Sequence, residues 1–431
     1  MRNLRIYIHE LGPIRNAEIE LAPVMVFTGA SNLGKSYTNF LAYYVFSLFS
    51  GNRLTEFFRK RIPEEMNGKK IDFSFSVEEL KEWMEADVKR FFAYLLNYPN
   101  VPCKVDFCFE DADKAFQVKI RQAKTVEGKL DKLGDFNIMI ISINDMNIPF
   151  ISQSDDEIVI LSSIHIAQYL QKTLLDVRIN HAYLLPPGRA SLLNESFSIK
   201  KDVSNTGMYD IFLNDFDYIV NLKIRSNNAA DTVRNKNMVK LTENIIEGKL
   251  VSTKEGIVMN VERQNTSIPI SAAASSIKEL SPLLLWVENG KLDADSMCIE
   301  EPEAHAHPEM QYGIADLLAA CMTQGTMMQI TTHSDYLLAR LNQLIKLHNL
   351  KQKDCNQFKN VCKTYGISES LTLDPSLIHA YFFHKNKKSQ VVTIEKMDVK
   401  DGIPFDTFSN AVQQQLDWNQ IFNEEQDDET L

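Results

Sequence analysis

The sequence predicts an α/β protein: a mixed β-sheet core with helices, opened by a long inserted α/β lobe. Three observations predict it. The apolar, β-rich run Val24-Met25-Val26-Phe27-Thr28 passes directly into the loop Gly29-Ala30-Ser31-Asn32-Leu33-Gly34-Lys35-Ser36 and then into a helical pattern from Asn39 to Phe49. Two further apolar strand patterns, Ser296–Ile299 and Met327–Thr331, each end in polar residues. No sustained heptads occur between residues 50 and 180, which excludes a long coiled-coil arm there.

The elements divide into four segments. Residues 1–50 hold two alternating strands, Leu4–Ile8 and Ala17–Leu21, joined by the Leu11-Gly12-Pro13 turn, and then the loop strand and its helix. Residues 51–180 form the inserted lobe, with helical periodicity over Val77–Leu96 and around Ile164–Val177, and strand patterns at Lys104–Phe109, Ala115–Ile120 and Phe136–Ile143. Residues 181–350 return to the core. His181–Leu185 is a short buried strand ending in the Pro186-Pro187-Gly188-Arg189 turn, 211–250 is helical, and Lys249–Val251 with Gly256–Glu262 alternates as a hairpin. Ser267–Ile270 is a further strand, Pro282–Trp286 lies on an apolar helix, and Pro308–Cys321 and Asp335–Leu347 are helices. Residues 351–431 are a C-terminal α/β extension with strands at Ile378–Phe383 and Gln390–Ile394, a helix over Pro404–Leu416 and an acidic tail at 424–429.

Composition narrows the function. With 44% hydrophobic and 10% aromatic residues, the 431-residue chain has enough apolar side chains for a large core. A net charge of −11 argues against a protein that coats DNA over its whole surface. The local basic clusters, Arg59-Lys60-Arg61 with Lys69-Lys70 and the Arg225–Lys240 stretch, read as solvated faces. Six cysteines without a CxxC pair point to a reducing compartment. The first residues lack the apolar region of a signal peptide, and no apolar stretch reaches the roughly 20 residues that cross a bilayer. A cytoplasmic location is the expectation.

The chemistry-bearing motifs come in order. The first is GxxxxGKS between a strand and a helix, where backbone N–H groups of Gly29 to Gly34 can close around a polyphosphate. Lys35 then reaches the β and γ phosphates, and the Ser36 hydroxyl holds Mg²⁺. The second is the strand end Ile299-Glu300-Glu301-Pro302-Glu303, where one carboxylate can face a metal ion and the next an attacking water. Glu300 lies 265 residues beyond Lys35 (300 − 35), a gap suited to an ATPase whose sheet is split by an inserted lobe. The third is Thr331-Thr332-His333-Ser334; His333, 32 residues past Glu301 (333 − 301), is placed to sense a γ-phosphate. The Ser-rich segment Ser271–Leu280, with Ser275 and Ser276 opening a helix, offers hydroxyls and a helix N-terminus to the phosphate of another subunit's nucleotide. Arg189 is placed either to sense a phosphate or to pair with a carboxylate of the acidic turn. His305 and His307, with Glu303 and Glu309, read as structural or subunit contacts rather than as a metal cluster.

The GASNLGKS, IEEPEAHAHP and TTHSDYLL segments, in this order and spacing, resemble the ABC-type ATPases of the OLD/RecF/SMC-like group, with the likeness running through most of the chain. That group includes ATPase subunits of bacterial anti-phage defence systems of the Septu and PARIS kinds. The resemblance implies an ABC-type P-loop ATPase head that uses ATP and Mg²⁺. Gly29, Ala30, Ser31, Asn32, Leu33, Gly34, Lys35, Ser36 and Tyr37 would hold the nucleotide, Ser36 and Glu300 the metal, Glu301 would be the hydrolytic base and His333 the switch histidine. It further implies a homodimer or higher oligomer in which two heads sandwich two ATPs, each completed by the other's Ser275 or Ser276. Nothing after residue 350 forms the carboxylate triad of a Toprim nuclease, so a separately encoded effector, a nuclease or toxin, is implied. Two other readings stay open: a RecF-like ATPase clamping DNA, and a slow or inactive ATPase acting as a nucleotide-stabilised interaction module. The chain departs from the group in three places. No glycine stands beside the signature serines, Tyr37 replaces the usual Thr, and the inter-lobe glutamine is not identified among Gln117, Gln122 and Gln153.

Overall fold

A computed structural model describes residues 4–63, 70–110, 114–123, 132–133, 136–193, 207–225, 233–253, 256–261, 265–288, 294–386 and 391–404. The chain begins with β1 (Arg5–Leu11), β2 (Ile14–Glu20), β3 (Val24–Gly29), α1 (Lys35–Ser50) and α2 (Thr55–Arg59). Then come β4 (Ile71–Ser76), α3 (Val77–Leu95), β5 (Cys103–Cys108), β6 (Ala115–Gln122), β7 (Lys132–Leu133), β8 (Phe136–Ile143), β9 (Met146–Ser152) and α4 (Asp155–Leu170). A π-helical turn, Gln171–Leu175, ends α4 and leads to β10 (His181–Leu185), α5 (Gly207–Arg225) and α6 (Val233–Ile246). After β11 (Lys249–Thr253), β12 (Gly256–Val261) and β13 (Thr266–Pro269), α7 (Ser275–Glu288) precedes β14 (Asp295–Glu300). The last elements are α8 (Pro308–Thr323), β15 (Met327–Thr331), α9 (Asp335–Lys353), α10 (Cys355–Tyr365), β16 (Ile378–Lys385) and β17 (Val392–Met397).

Nine strands form one mixed sheet in the order β10-β14-β15-β3-β16-β17-β2-β1-β5. From β10 to β16 every pair is parallel. β3, β14 and β15 are buried at every position, as parallel strands covered on both faces must be. Their alternation sorts side chains between two cores. Met25, Phe27 and Cys298 join the core with α1, α3 and α4, whereas Val24, Val26, Met297 and Ile299 join the one with α7, α8 and α9. The mixed sheet and its helices are the fold class expected from the sequence.

The sheet does not respect the sequence segments. β5, from the expected lobe, pairs with β1 in the large sheet, and β16, from the expected C-terminal extension, pairs with β3 in its middle. The rest of the lobe is an antiparallel sheet of β4, β6, β7, β8 and β9. Its β6 alternates strictly, burying Phe116, Val118 and Ile120. The helix expected at Ile164–Val177 starts earlier, at Asp155, because the Ser154 hydroxyl accepts from the Glu157 N–H and Asp155, Asp156 and Glu157 fill the first turn. β4, β9 and α10 lie where the sequence reading placed no element, whereas β8 and β15 have the expected bounds. The expected helix over Pro404–Leu416, beyond its first residue, and the acidic tail at 424–429 lie outside the described residues.

Pro282 sits inside α7 and has no N–H for the Lys278 carbonyl. The Ser281 hydroxyl donates to that carbonyl at 2.9 Å instead, so the helix continues through the proline.

Gly29 ends β3 at φ +131°, and a Cβ there would lie 2.4 Å from the Phe383 carbonyl oxygen on β16. Both obstacles are backbone and neither yields. Gly29→Ala is expected to destabilise the fold by about 3 kcal/mol, from overpacking and backbone strain together. Urea unfolding at an unchanged slope measures it, and a shift under 1 kcal/mol would contradict the close approach of β3 and β16.

Candidate functional site

Parallel pairing brings three distant strand ends to one edge. Glu300 is opposite Thr331, Thr331 opposite Phe27, and Gly29 opposite Phe383. In open α/β sheets this carboxyl edge is where ligands bind.

The loop after β3 leaves Ala30, Ser31 and Asn32 exposed and turns into α1 through Gly34 at φ +90°. A Cβ on Gly34 would meet Ile14 Cδ1 at 2.9 Å, so the loop lies tightly on the β1–β2 turn. Lys35 folds back into its own loop, its Nζ donating to the carbonyls of Gly29 at 3.1 Å and Ala30 at 2.7 Å. Burial pulls its pKa down to about 8, against the opposing pull of Glu301, Glu300 and Glu303. Tyr37 points its ring away into packing, stacked on Phe92 at 6.2 Å and against Gly12.

The Ser36 hydroxyl donates to Glu300 Oε2 at 2.5 Å, and Asn39 Nδ2 donates to Oε1 at 2.7 Å. Glu300 is 1% exposed, and burial raises its pKa against the hydrogen bonds of Ser36, Asn39 and Thr331. Glu301 leaves the strand in the left-handed region at φ +44°, its N–H donating to the Thr331 carbonyl and hydroxyl, both at 3.2 Å. That turn sends its half-exposed carboxylate outward, where Oε1 stands 3.4 Å from His333 Nε2. Burial, and secondarily Lys35, lowers the pKa of His333, against the opposing pull of the Glu301 carboxylate.

Glu303 ties the two turns together. Its Oε1 accepts from the Thr332 hydroxyl at 2.6 Å and the His333 N–H at 2.9 Å. Thr332 in turn accepts from the Ser334 N–H at 3.0 Å, and Ser334 caps α9. Glu303 is thus a clamp beside the site, and burial raises its pKa. His305 and His307 are exposed, and His307 Nδ1 accepts from the Glu309 N–H at 3.4 Å at the start of α8. Among the described residues no group of three His, Cys, Asp or Glu side chains is arranged to hold a metal ion.

Arg189 does not ion-pair with a carboxylate of the acidic turn, as one of its two expected roles required. It is fully buried, paired with Glu279 of α7 at 3.2 Å, and it donates to the backbone of the acidic turn rather than to its carboxylates. Ser275 is exposed and Ser276 half-exposed at the start of α7, and no hydrogen bond among the described residues joins either to residues 29–36. Gln117, Gln122 and Gln153 lie in the lobe, on β6 and before α4. Gln122 is bonded to Asn137, and the Gln153 N–H to Glu157.

Sequence reasoning missed Asn39, Glu279 and the clamping role of Glu303. Asn39 was within reach, because a residue three places after Ser36 on a helix lies on the same face.

The donor set fits a magnesium–nucleotide complex. Ser36 Oγ and Glu300 Oε2 are hard oxygen donors already in contact, and such sites leave the remaining positions to water and phosphate. Asn39 Oδ1 is also buried without a partner. A bound magnesium ion would supply neutralising charge for phosphoryl transfer. Around it the chain can hold charge at Lys35, orient water at Glu301 and position the imidazole of His333.

A protein-family profile described as an AAA ATPase domain matches residues 190–338, the span from the Arg189 turn through the acidic and His motifs. Solved structures with a similar chain course include the SMC head bound to the C-winged helix domain of ScpA. That similarity has 13% identity over 93% of this chain and 98% of that one, with a TM-score of 0.39. The Pyrococcus furiosus Smc head with an extended coiled coil, bound to the C-terminal domain of ScpA, shares 10% identity over 96% and 100%, with a TM-score of 0.37. The Thermotoga maritima SMC head shares 11% over 93% and 100%, with a TM-score of 0.32. The comparison with curated proteins gives no match. The profile match and the strand–loop–helix of β3 and α1 together support an ATPase domain of the phosphate-loop type. No helix among the described residues is long and apolar enough to cross a membrane.

With its pKa near 8, Lys35 loses its charge as pH rises through that value, whereas a bound polyphosphate raises the pKa again. Binding above pH 8 therefore takes up a proton, and affinity is expected to fall by up to about tenfold per pH unit between pH 8 and 10. Calorimetry in two buffers of different ionisation enthalpy reads both quantities. A pH-independent dissociation constant would contradict the role of Lys35.

Proposed function

We propose that the chain is an ABC-type ATPase that binds and hydrolyses ATP with Mg²⁺ and dimerises through the nucleotide. In this reading it serves as the sensor and scaffold of a bacterial anti-phage defence system whose effector, a nuclease or toxin, is a separate protein. The observation that carries the ATPase reading is the contact of Ser36 and Asn39 with Glu300, two segments more than 260 residues apart meeting where a metal ion would sit. The difference between neighbours Glu300, buried, and Glu301, outward on a left-handed turn, supports metal ordering by the first and water activation by the second. His333, next to Glu301, suits a γ-phosphate switch. Exposure of Ser275 at the open end of α7 supports a trans contact with a second copy's nucleotide. The defence role rests on the sequence resemblance alone.

Lys35→Ala is expected to abolish tight ATP binding by calorimetry. Glu301→Gln should keep ATP bound while steady-state phosphate release falls by about two orders of magnitude or more, the loss expected with a general base. Undiminished turnover in Glu301→Gln would place the base elsewhere. Mass photometry with and without ATP tests dimerisation, and a mass that ATP leaves unchanged would refute it.

A further inference from the structure

Among the described residues, Arg189 is the largest buried charged side chain that the proposed chemistry leaves unused. It is 1% exposed, as is its partner Glu279. Burying such a pair is expensive, and an apolar pair of similar volume often gives an equal or more stable fold, so stability alone is a weak reason for it. Its hydrogen bonds suggest another. Nε donates to the Glu279 carbonyl of α7 at 2.8 Å, and Nη1 donates to the carbonyls of Pro186 at 3.0 Å and Glu300 at 2.8 Å. Glu279 Oε2 closes the circuit by accepting from the Ala190 N–H at 2.8 Å.

The carbonyl of Glu300 belongs to the peptide whose N–H is on Glu301, and that N–H is held by Thr331. The 300–301 peptide plane is therefore gripped on both sides, by Arg189 at its oxygen and by β15 at its nitrogen. Its tilt sets the left-handed turn at Glu301, and so the direction of that carboxylate. On the other side, Glu279 lies one helical turn after Ser275, the exposed start of α7. The planar guanidinium, with its donors in a fixed fork, transmits displacement in a way that a flexible ammonium does not.

We propose that Arg189 is a positioning residue that couples the exposed start of α7 to the 300–301 peptide, so that occupation of one re-aims Glu301 at the other. This rests on the reading that Glu301 activates water and that α7 meets a second copy. Docking on α7 is then a signal for hydrolysis, and a nucleotide at Glu300 is felt at Ser275.

The test uses the full chain. Arg189→Lys keeps the charge and loses the fork. It is expected to keep the melting temperature within a few degrees and the ATP dissociation constant within about threefold, while kcat falls at least tenfold. The rise of turnover with protein concentration expected of an ATP-dependent dimer should also vanish. Unchanged kcat in a folded variant would overturn the coupling, as would losses of affinity and melting temperature that keep step with kcat. Should Arg189→Lys fail to fold, Glu279→Gln and the unaltered chain answer the same question. With a non-hydrolysable ATP analogue at monomer concentrations, amide exchange in the unaltered chain should slow in residues 275–280 as well as in 29–36. Protection confined to 29–36 overturns the proposal. A chain that binds no ATP sinks the nucleotide reading, and the coupling with it; a chain that binds and turns over ATP with Arg189→Lys indistinguishable sinks the coupling alone.

Discussion

Parallel pairing of β14, β15 and β3 is the constraint on which everything else in this molecule depends. Each strand contributes one turn to the same edge, and each turn contributes one kind of group: an ammonium, a pair of carboxylates, an imidazole. The register permits no slip, because a shift by one residue would send Met297 and Ile299 to the other core and Glu300 away from Ser36. Burial of all three strands on both faces supplies the energy that holds the register. The site is precise because the sheet beneath it cannot rearrange in part.

That precision carries a cost. Burial raises the pKa values of Glu300 and Glu303 and lowers that of Lys35, so three titratable groups are held where their charged forms are disfavoured. For the carboxylates, folded pKa values above the unfolded ones mean that stability falls as pH rises through that range. For Lys35 the sign is the reverse. Its folded value near 8 lies below the ordinary 10.5, so the penalty is present below pH 8 and is relieved as pH rises towards 10.5. Such local losses are what a site kept for function looks like against an otherwise consistent fold.

Much of this was legible in the sequence, for identifiable reasons. β3 and β15 announce themselves as apolar runs with hard stops, and the loop glycines and the paired glutamates are local signals that need no knowledge of distant residues. What was hidden depends on pairing across hundreds of residues. Nothing local says that β5 leaves the lobe to extend the sheet beyond β1, or that β16 slots beside β3. β16 joins the centre because its apolar residues Ala380, Tyr381 and Phe383 match a buried neighbour, and Tyr381 anchors to the Glu20 backbone at 2.9 Å. Arg189 was misjudged for the same reason, since its partner is 90 residues away and its acceptors are backbone oxygens that no motif displays. Glu303 was grouped with the exposed histidines by proximity in sequence, whereas the turn buries it under Thr332.

The adjacent glutamates show how little the residue type decides. Glu300 and Glu301 are chemically identical and covalent neighbours, yet one is enclosed by Ser36, Asn39 and the sheet, and the other is turned outward towards His333. The agent of the difference is a single left-handed residue, a conformation that a side chain adopts only at a cost of about 1–2 kcal/mol. An extended residue at 301 would carry the chain on past β15 and leave the second carboxylate on the opposite face of the sheet, far from His333. The strain at Glu301 is therefore what separates two identical groups into two environments. It persists because Thr331 and Arg189 hold the peptide before it from both ends.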